Sequence, residues 1–211
     1  NRMKLGAFLP SFTDFPPIER RELLVRFAKA AEDLGFSSLW AEDHILRINT
    51  NPAYSGLAWL DPIATLSYVA SHTSLPLGLV YCGCLRNPVT SAKQLSTLMY
   101  LAPSGVTVVP VIGAWDREHE VAGIPPRQRG VRTDEWLDVV ELLLSTPNAS
   151  YEGRFCQFEE VTIDPIPDEP LRVWPSGGAA WYVEGVGPDE PSLTEPVIQR
   201  ILRFGAWCVS S

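Results

Sequence analysis

Short apolar runs alternate with amphipathic segments along the chain as far as Pro147. The runs "KLGAFLP", "SSLWA", "LPLGLVYCGC" and "GVTVVPVIGAW" are almost continuously apolar, which is typical of strands that are buried on both faces. Between the first two runs, the segment "IERRELLVRFAKAAEDLG" places Leu24, Phe27 and Ala31 on one side, which predicts a helix capped by Gly35. Strands alternating with helices predict a parallel sheet.

Helix boundaries are marked by local residues. Asp61 with Pro62, and Asn87 with Pro88, are each suited to the N-cap and first position of a helix. A fourth helix, "TDEWLDVVELLL", is predicted to end before Pro147. Pro110 lies inside the fourth apolar run, so we expect a bulge or a sheet edge there, because proline cannot donate to a strand ladder.

The strand–helix pattern is compatible with an open doubly wound sheet or with a barrel. No G-x-G-x-x-G follows the first strand, which favours the barrel. Beyond Pro147 we expect a hairpin over residues 145–167, a fifth strand in "PLRVWPSGG", an irregular Pro- and Gly-rich segment over residues 179–197, and a sixth strand in "GAWCVSS". The prediction is a single α/β domain over residues 1–211, an incomplete TIM-type (β/α) barrel with about six of eight strand–helix units.

Composition excludes several classes of protein. The 211 residues are 45% hydrophobic, and the net charge of −8 comes without any basic run, so we expect no nucleic-acid partner. No apolar stretch approaches the roughly 20 residues of a membrane span, and the N-terminus is too short before its first strand for a signal peptide. We therefore expect a cytoplasmic protein. The four cysteines include a C-x-C at Cys82 and Cys84 with no second pair, from which we expect free thiols and no metal site.

Polar groups and glycines follow the predicted strands. In a parallel barrel the carboxyl ends of the strands converge on one mouth, where catalytic groups lie. His44 stands at such an end and can exchange a proton near neutral pH, which makes it a catalytic candidate together with Glu42. For Glu42, an ion pair with a neighbouring basic group is favoured over a catalytic role. The other strand-end residues are Pro10, Ser11, Asp43, Gly83, Cys84, Gly113, Trp115, Ser176, Gly177 and Gly178.

Five strings add to this pattern: "LGFSSLWAEDHIL", "WLDPIATLSYVASHTS", "LRNPVTSAKQLSTL", "IGAWDREHEVAGIPPRQRGVRTDEWLDVVELLL" and "YEGRFCQFEEVTIDPIP". In this order they resemble the bacterial luciferase-like flavin monooxygenase superfamily, and most of all its deazaflavin-dependent oxidoreductases. The resemblance extends from about Lys4 to Pro167. It implies a TIM-type barrel that holds a deazaflavin coenzyme of the F-420 type, or alternatively FMN, at the strand ends.

The resemblance also implies roles for single residues. His44 matches a strand-end histidine that donates a proton or faces the cofactor, and Asp43 matches an acidic neighbour that contacts the deazaflavin. The third strand end matches the place where relatives hold a non-proline cis peptide against the ring. The cofactor-binding residues implied are Asp43, Gly83, Cys84, Gly113, Trp115, Ser176, Gly177 and Gly178.

Departures from the family leave alternatives open. "APSGVTVVPVIGAW" lacks the usual arginine turn before the fourth strand, and relatives continue for two further strand–helix units. Three explanations are open: the chain is a fragment, it closes its barrel with a second chain, or it is a shortened relative without a cofactor.

The first hypothesis for function is hydride transfer between a deazaflavin or flavin and a small organic substrate. The alternative is a non-redox catalyst of the cyclase, isomerase or lyase type, or a cofactor-free binding subunit. An unclosed sheet exposes apolar edges, so we expect a homodimer.

Overall fold

A computed structural model describes residues 3–13, 17–47, 58–177 and 193–209 of the chain. The helices in these ranges are α1 (Pro17–Asp33), α2 (Pro62–Ala70), α3 (Pro88–Leu101), α4 (Asp116–Val121), α5 (Arg129–Ser145) and α6 (Glu195–Phe204). The strands are β1 (Gly6–Phe8), β2 (Phe12–Thr13), β3 (Ser38–Ala41), β4 (Ala58–Trp59), β5 (Leu77–Tyr81), β6 (Val106–Pro110), β7 (Ala149–Glu152), β8 (Gln157–Val161), β9 (Arg172–Val173), β10 (Ser176–Gly177) and β11 (Cys208–Val209).

The main sheet is parallel, and its strand order follows the chain. The strands pair in the order β1-β3-β5-β6-β9, and β10 pairs in parallel with β11. Only Trp174 and Pro175 separate β9 from β10, so these two strands form one interrupted fifth strand, and β11 is the sixth. A doubly wound sheet reverses its strand order at a switch point, whereas a barrel adds each strand beside the last. The fold is therefore of the TIM-barrel type, as the sequence predicts.

The two faces of the sheet differ in their cover. Leu39, Leu79 and Val108 are fully buried in one hydrophobic core with the apolar sides of the helices, and we call this side of the sheet the outer face. On the outer face, Tyr81 contacts Trp136 of α5, with ring centroids 5.7 Å apart. Because side chains alternate along a strand, the residues between them point to the other side.

That other side, the inner face, carries Phe8, Trp40 and Trp174. Trp40 lies 6.3 Å from Phe8 and 5.5 Å from Trp174, measured between ring centroids. Its ring covers Gly78, where a Cβ atom would lie 2.3 Å from Trp40 Cε3. Phe8 is 46% exposed and Trp174 is 40% exposed. The interior side of the barrel wall is thus aromatic and open in the described residues.

Local sequence signals set the helix ends as predicted. Asp61 Oδ1 accepts a hydrogen bond from the Ala64 amide at 2.9 Å, and Asn87 Oδ1 accepts one from the Thr90 amide at 3.1 Å. Each cap satisfies one of the amides that a helix start leaves without a partner. Gly35 ends α1 at φ +79°, a conformation that glycine adopts without steric cost. The predicted hairpin is confirmed as the antiparallel pair β7–β8.

Four details differ from the predictions. Pro110 pairs in regular register with Tyr81 at the last position of β6, an interior strand, so it makes neither a bulge nor an edge. Helix α4 lies between the fourth apolar run and the predicted fourth helix, where the sequence predicts no helix. Helix α6 begins at Glu195, inside the segment predicted to be irregular, of which residues 179–192 lie outside the described ranges. The peptide bonds around Gly83 are trans, because Asp164–Pro165 is the one cis bond among the described residues.

Candidate active site at the strand ends

His44 lies just beyond β3 between two aromatic rings. Its imidazole stacks on Trp115 with centroids 3.9 Å apart and an interplanar angle of 27°, and it meets the edge of Trp59 at 4.5 Å. Trp59 in turn stacks on Phe12, and β2 pairs with β4 to hold those two residues together. The His44 side chain remains 20% exposed. The ring is therefore fixed in orientation and still reachable from the mouth.

Glu118 of α4 holds the His44 loop. Its Oε2 atom lies 3.3 Å from His44 Nδ1, and its Oε1 atom accepts hydrogen bonds from the amides of Ile45 at 2.7 Å and Leu46 at 3.2 Å. Burial would raise the pKa of Glu118, but the contact with His44 and the two backbone bonds outweigh it and lower that pKa. An ionised Glu118 selects the tautomer in which Nδ1 carries the proton, and the described residues make no hydrogen bond to Nε2 of His44.

Glu42, in the "AEDH" stretch, receives no hydrogen bond from the described residues. It continues the alternation of β3, in which Trp40 and Glu42 are half-buried while Ala41 and Asp43 are buried, so Glu42 lies on the inner side. No hydrogen bond or ion pair reaches its carboxylate from the described part of the chain. Burial raises the pKa of Glu42, and the charge of His44 opposes that rise. An acid with a raised pKa beside a histidine is suited to proton transfer.

Asp43 points to the opposite side of the strand end and is fully bonded. Arg86 donates to both carboxylate oxygens, at 2.6 and 2.7 Å, and the Cys82 amide donates to Oδ2 at 2.9 Å. Burial raises the pKa of Asp43, and the contact with Arg86 opposes it. The fork geometry is that of a guanidinium on an ionised carboxylate. The pair ties the end of β3 to the loop before α3, and contact of Asp43 with a deazaflavin stays a prediction.

The strand-end glycines are packed against protein side chains. A Cβ atom at Gly83 would lie 2.4 Å from the Trp136 ring, one at Gly113 would lie 2.7 Å from His119 Cε1, and one at Gly177 would lie 2.5 Å from Val197 Cγ1. Gly113 also has φ +76°. These three positions require glycine for internal packing, and their predicted contacts with a cofactor remain untested.

The remaining predicted residues that the structure describes lie around the same mouth. Pro10 is half-buried after β1, and Ser11 is fully buried with no hydrogen bond to its hydroxyl from the described residues. Ser176 donates to the Pro110 carbonyl at 2.8 Å, which links the fourth and fifth strand ends. Gly178 lies outside the described residues. Cys84 is buried beside Cys82, and hydrogen bonding with Cys82 is the largest cause that lowers the pKa of Cys84 to about 6.

The sequence did not predict three residues that contact the strand-end groups: Glu118, Arg86 and His119. Each contacts a residue that is distant in the chain. Glu118 and His44 are 74 residues apart, and Arg86 and Asp43 are 43 residues apart. The segment "DREHEV" has no apolar period that would predict α4 and its contacts. One signal was available, since "LRNP" places a positive charge directly after the third strand end, beside the strand that ends in Asp43.

The amino-acid sequence matches a known protein family. The family model described as luciferase-like monooxygenase matches residues 3–187, which is most of the chain. The chain belongs to the luciferase-like monooxygenase family. It is 31% identical over 181 residues to the F420-dependent hydroxymycolic acid dehydrogenase of Mycobacterium tuberculosis, an alignment that covers 82% of this chain and 46% of that protein.

Two other proteins are similar to most of this chain over about half of their own length. The F420-dependent glucose-6-phosphate dehydrogenase of Kineococcus radiotolerans is 30% identical over 194 residues, with 88% of this chain and 54% of that protein covered. The crystal structure of an F420-dependent secondary alcohol dehydrogenase in complex with an F420-acetone adduct superposes with a TM-score of 0.69 at 22% identity, covering 84% of this chain and 53% of that one. The chain thus spans about half the length of these relatives. None of the helices in the described ranges combines the length and apolarity needed to cross a membrane.

Proposed function

We propose that the strand ends of this chain form an oxidoreductase site. The site transfers a hydride between a deazaflavin, or alternatively FMN, and a small organic substrate such as an alcohol or ketone. His44 is the proton partner in this proposal. The observation that carries it is the His44 ring, fixed by Trp115 and Glu118 and still exposed at the mouth. The F420-dependent dehydrogenases among the relatives support the choice of cofactor class.

The residues present suit a flat aromatic cofactor. The inner face offers Phe8, Trp40 and Trp174, two of them close to half-exposed, and the mouth above it carries Trp59 and Trp115. Aromatic side chains prefer to pack against other planar rings, and ligand sites combine such surfaces with a few placed polar groups. When bound, a deazaflavin or flavin supplies the hydride acceptor or donor.

His44 handles the proton that accompanies the hydride. Glu118 accepts from Nδ1, so Nε2 is the atom that takes a proton from an alcohol substrate or returns one to a ketone. The negative charge of Glu118 stabilises the imidazolium that forms when Nε2 is protonated. Glu42 lies on the inner side, no hydrogen bond or ion pair reaches its carboxylate from the described residues, and we assign it as the second proton-handling group.

The test combines cofactor binding with turnover. Purified protein is titrated with deazaflavin and with FMN while fluorescence is followed, and single-turnover hydride transfer is then measured with a panel of small alcohols and ketones. We expect saturable binding of one cofactor. We expect His44→Ala to lower turnover by about 10²- to 10⁴-fold, the usual effect of losing a general acid or base, and His44→Gln to lose nearly as much.

A matched control is His72→Ala, which removes the histidine that follows α2 and hydrogen-bonds the Tyr68 carbonyl. It should retain both binding and turnover. Absence of a saturable signal with either cofactor would favour the non-redox alternative on the same barrel. Full activity in both His44 variants, together with a lowered melting temperature, would mean that the histidine is structural.

We also propose that the chain works as a homodimer. The uncovered edges of the sheet support this: in the described residues β1 pairs with β3 alone and β11 with β10 alone, and an unpaired strand edge is a surface on which another chain can pair. The single-domain organisation over residues 1–211 remains a prediction.

A further inference from the structure

A second cluster of reactive side chains lies behind the mouth, apart from His44. It consists of Cys82 and Cys84, at the end of β5, and His119 of α4. Their exposed fractions are 3%, 4% and 0%. One ligand atom from each of the three residues lies within 4.8 Å of the other two. We propose that Cys82, Cys84 and His119 bind a thiophilic divalent cation, with Zn²⁺ as the expected metal.

The spacing of the donor atoms suits a tetrahedral cation. The two Sγ atoms are 3.7 Å apart, and Cys84 Sγ lies 3.9 Å from His119 Nε2. Two thiolates on a tetrahedral Zn²⁺ with Zn–S bonds of about 2.3 Å are separated by about 3.8 Å. The C-x-C spacing therefore presents both sulfurs at the separation that one such ion requires.

The surroundings of His119 point independently to a cation. Nδ1 lies 3.1 Å from the Trp115 carbonyl, and Nε2 lies 2.9 Å from the Ile112 carbonyl. A neutral imidazole has one N–H, so it can donate to only one of these oxygens. If Nδ1 donates to Trp115, the lone pair of Nε2 faces the Ile112 oxygen and the Cys84 sulfur. A cation among these electron-rich atoms removes the conflict, and the Trp115 contact then orients the ligand.

The charge balance also favours a divalent ion. Binding displaces the two thiol protons to solvent, so two thiolates and a neutral imidazole surround a 2+ charge, and the buried complex is neutral. Sulfur and imidazole donors favour Zn²⁺ over Mg²⁺ or Ca²⁺, which prefer oxygen. The Ile112 carbonyl, 3.8 Å from Cys84 Sγ, is the available fourth donor. Cys84 also lines a pocket of about 290 Å³, which gives the ion a route from solvent.

The proposed site has a consequence for His44. His119 is adjacent in sequence to Glu118, which holds the His44 loop. A metal that bridges the end of β5 and α4 would fix α4 relative to the sheet, and with it the position of Glu118. Its role would be structural support, and its occurrence does not depend on the proposed redox reaction.

The experiment uses Co²⁺ as a probe on the reduced protein. We expect about one Co²⁺ per chain, with thiolate-to-cobalt charge-transfer absorption and tetrahedral d–d bands that Zn²⁺ abolishes by displacement. Cys84→Ser and His119→Gln should each lose most of the affinity, by at least about 10-fold. Cys208→Ser, which changes a half-buried cysteine on β11, is the matched control and should bind as the wild type does.

A second measurement avoids dependence on the folding of variants. Wild-type protein is alkylated with and without Zn²⁺, and the modified cysteines are identified by peptide mass mapping. Zn²⁺ should protect Cys82 and Cys84 but not Cys156 or Cys208. The proposal would be overturned if Zn²⁺ did not change the alkylation of Cys82 and Cys84. Absence of charge-transfer absorption with Co²⁺ would also overturn it. Unchanged affinity in His119→Gln would remove the histidine from the site and overturn it as well.

Discussion

The outer and inner faces of the sheet end in adjacent carboxylates with opposite environments. On the outer side, Asp43 is buried and receives three hydrogen bonds from Arg86 and Cys82. On the inner side, Glu42 is half-buried, and its carboxylate receives no hydrogen bond from the described residues. The alternation of a strand separates the two by a single position. The outer face therefore uses charge to join elements, whereas on the inner face the described residues leave the Glu42 carboxylate unpaired, as its proposed proton-handling role requires.

The largest expected effect comes from breaking the outer pair. Asp43→Asn removes the charge that neutralises Arg86, whose side chain is 18% exposed, and we expect a loss of about 3–5 kcal/mol in the free energy of unfolding. Glu42→Gln, its matched variant on the inner side, should change stability at pH 4 by less than about 1 kcal/mol. Urea unfolding of both variants checks the contrast. Equal losses in the two variants would show that the faces do not differ as described.

The apolar residues of the two faces provide the next comparison. Leu79 is fully buried on the outer face, so Leu79→Ala should cost about 2–5 kcal/mol through lost burial and a residual cavity. Phe8→Ala, on the inner face, should cost about 1 kcal/mol or less in the free energy of unfolding of an isolated chain, because the ring is 46% exposed there.

Self-association is a further measurement that distinguishes Phe8→Ala from Leu79→Ala. If a second copy covers the sheet edge formed by β1, Phe8→Ala on that strand should shift the dimer towards the 23.4 kDa monomer in light scattering, while Leu79→Ala lowers stability without changing the mass of the folded species. A monomer mass for the wild type at micromolar concentration would contradict the proposed homodimer.

The smallest effect is a pH dependence of opposite sign at two glutamates. The folded-state pKa of Glu42 is raised, so its contribution is fully present below the unfolded pKa of about 4.3 and is lost as pH rises through the folded value. Glu42→Gln should therefore gain stability relative to the wild type from pH 4 upwards. The pKa of Glu118 is lowered, so its contribution is present above about pH 4.3 and is lost as pH falls through the folded value.

Glu118→Gln should accordingly lose stability at neutral pH and approach the wild type in acid. Thermal melts between about pH 3 and pH 7, a range that spans ordinary glutamate titration, measure both slopes. Parallel stability curves for the wild type and the two variants would show that neither carboxylate is coupled to folding.

Much of the fold was predictable because its determinants are local. Apolar runs bounded by turns indicated six strand positions, and Asp61, Asn87 and Gly35 marked helix ends through bonds or conformations within a few residues. The placement of His44 at a strand end was predictable for the same reason. The structural effect of Pro110 was not predictable. Proline lacks an amide donor, which disturbs a strand only if the strand continues beyond the proline, and β6 ends at Pro110.

The sequence by itself determined the order of the main parallel strands and of α1, α2, α3 and α5, the hairpin after α5 and the set of residues at the strand ends. Only the tertiary structure decided which of these residues meet. It joined His44 to Glu118 and Asp43 to Arg86, directed Glu42 to the inner face, and brought His119 to Cys82 and Cys84. The physical reason is range: helix caps and periodicity act over a few residues, whereas these contacts depend on sheet register and on how separate helices pack against it.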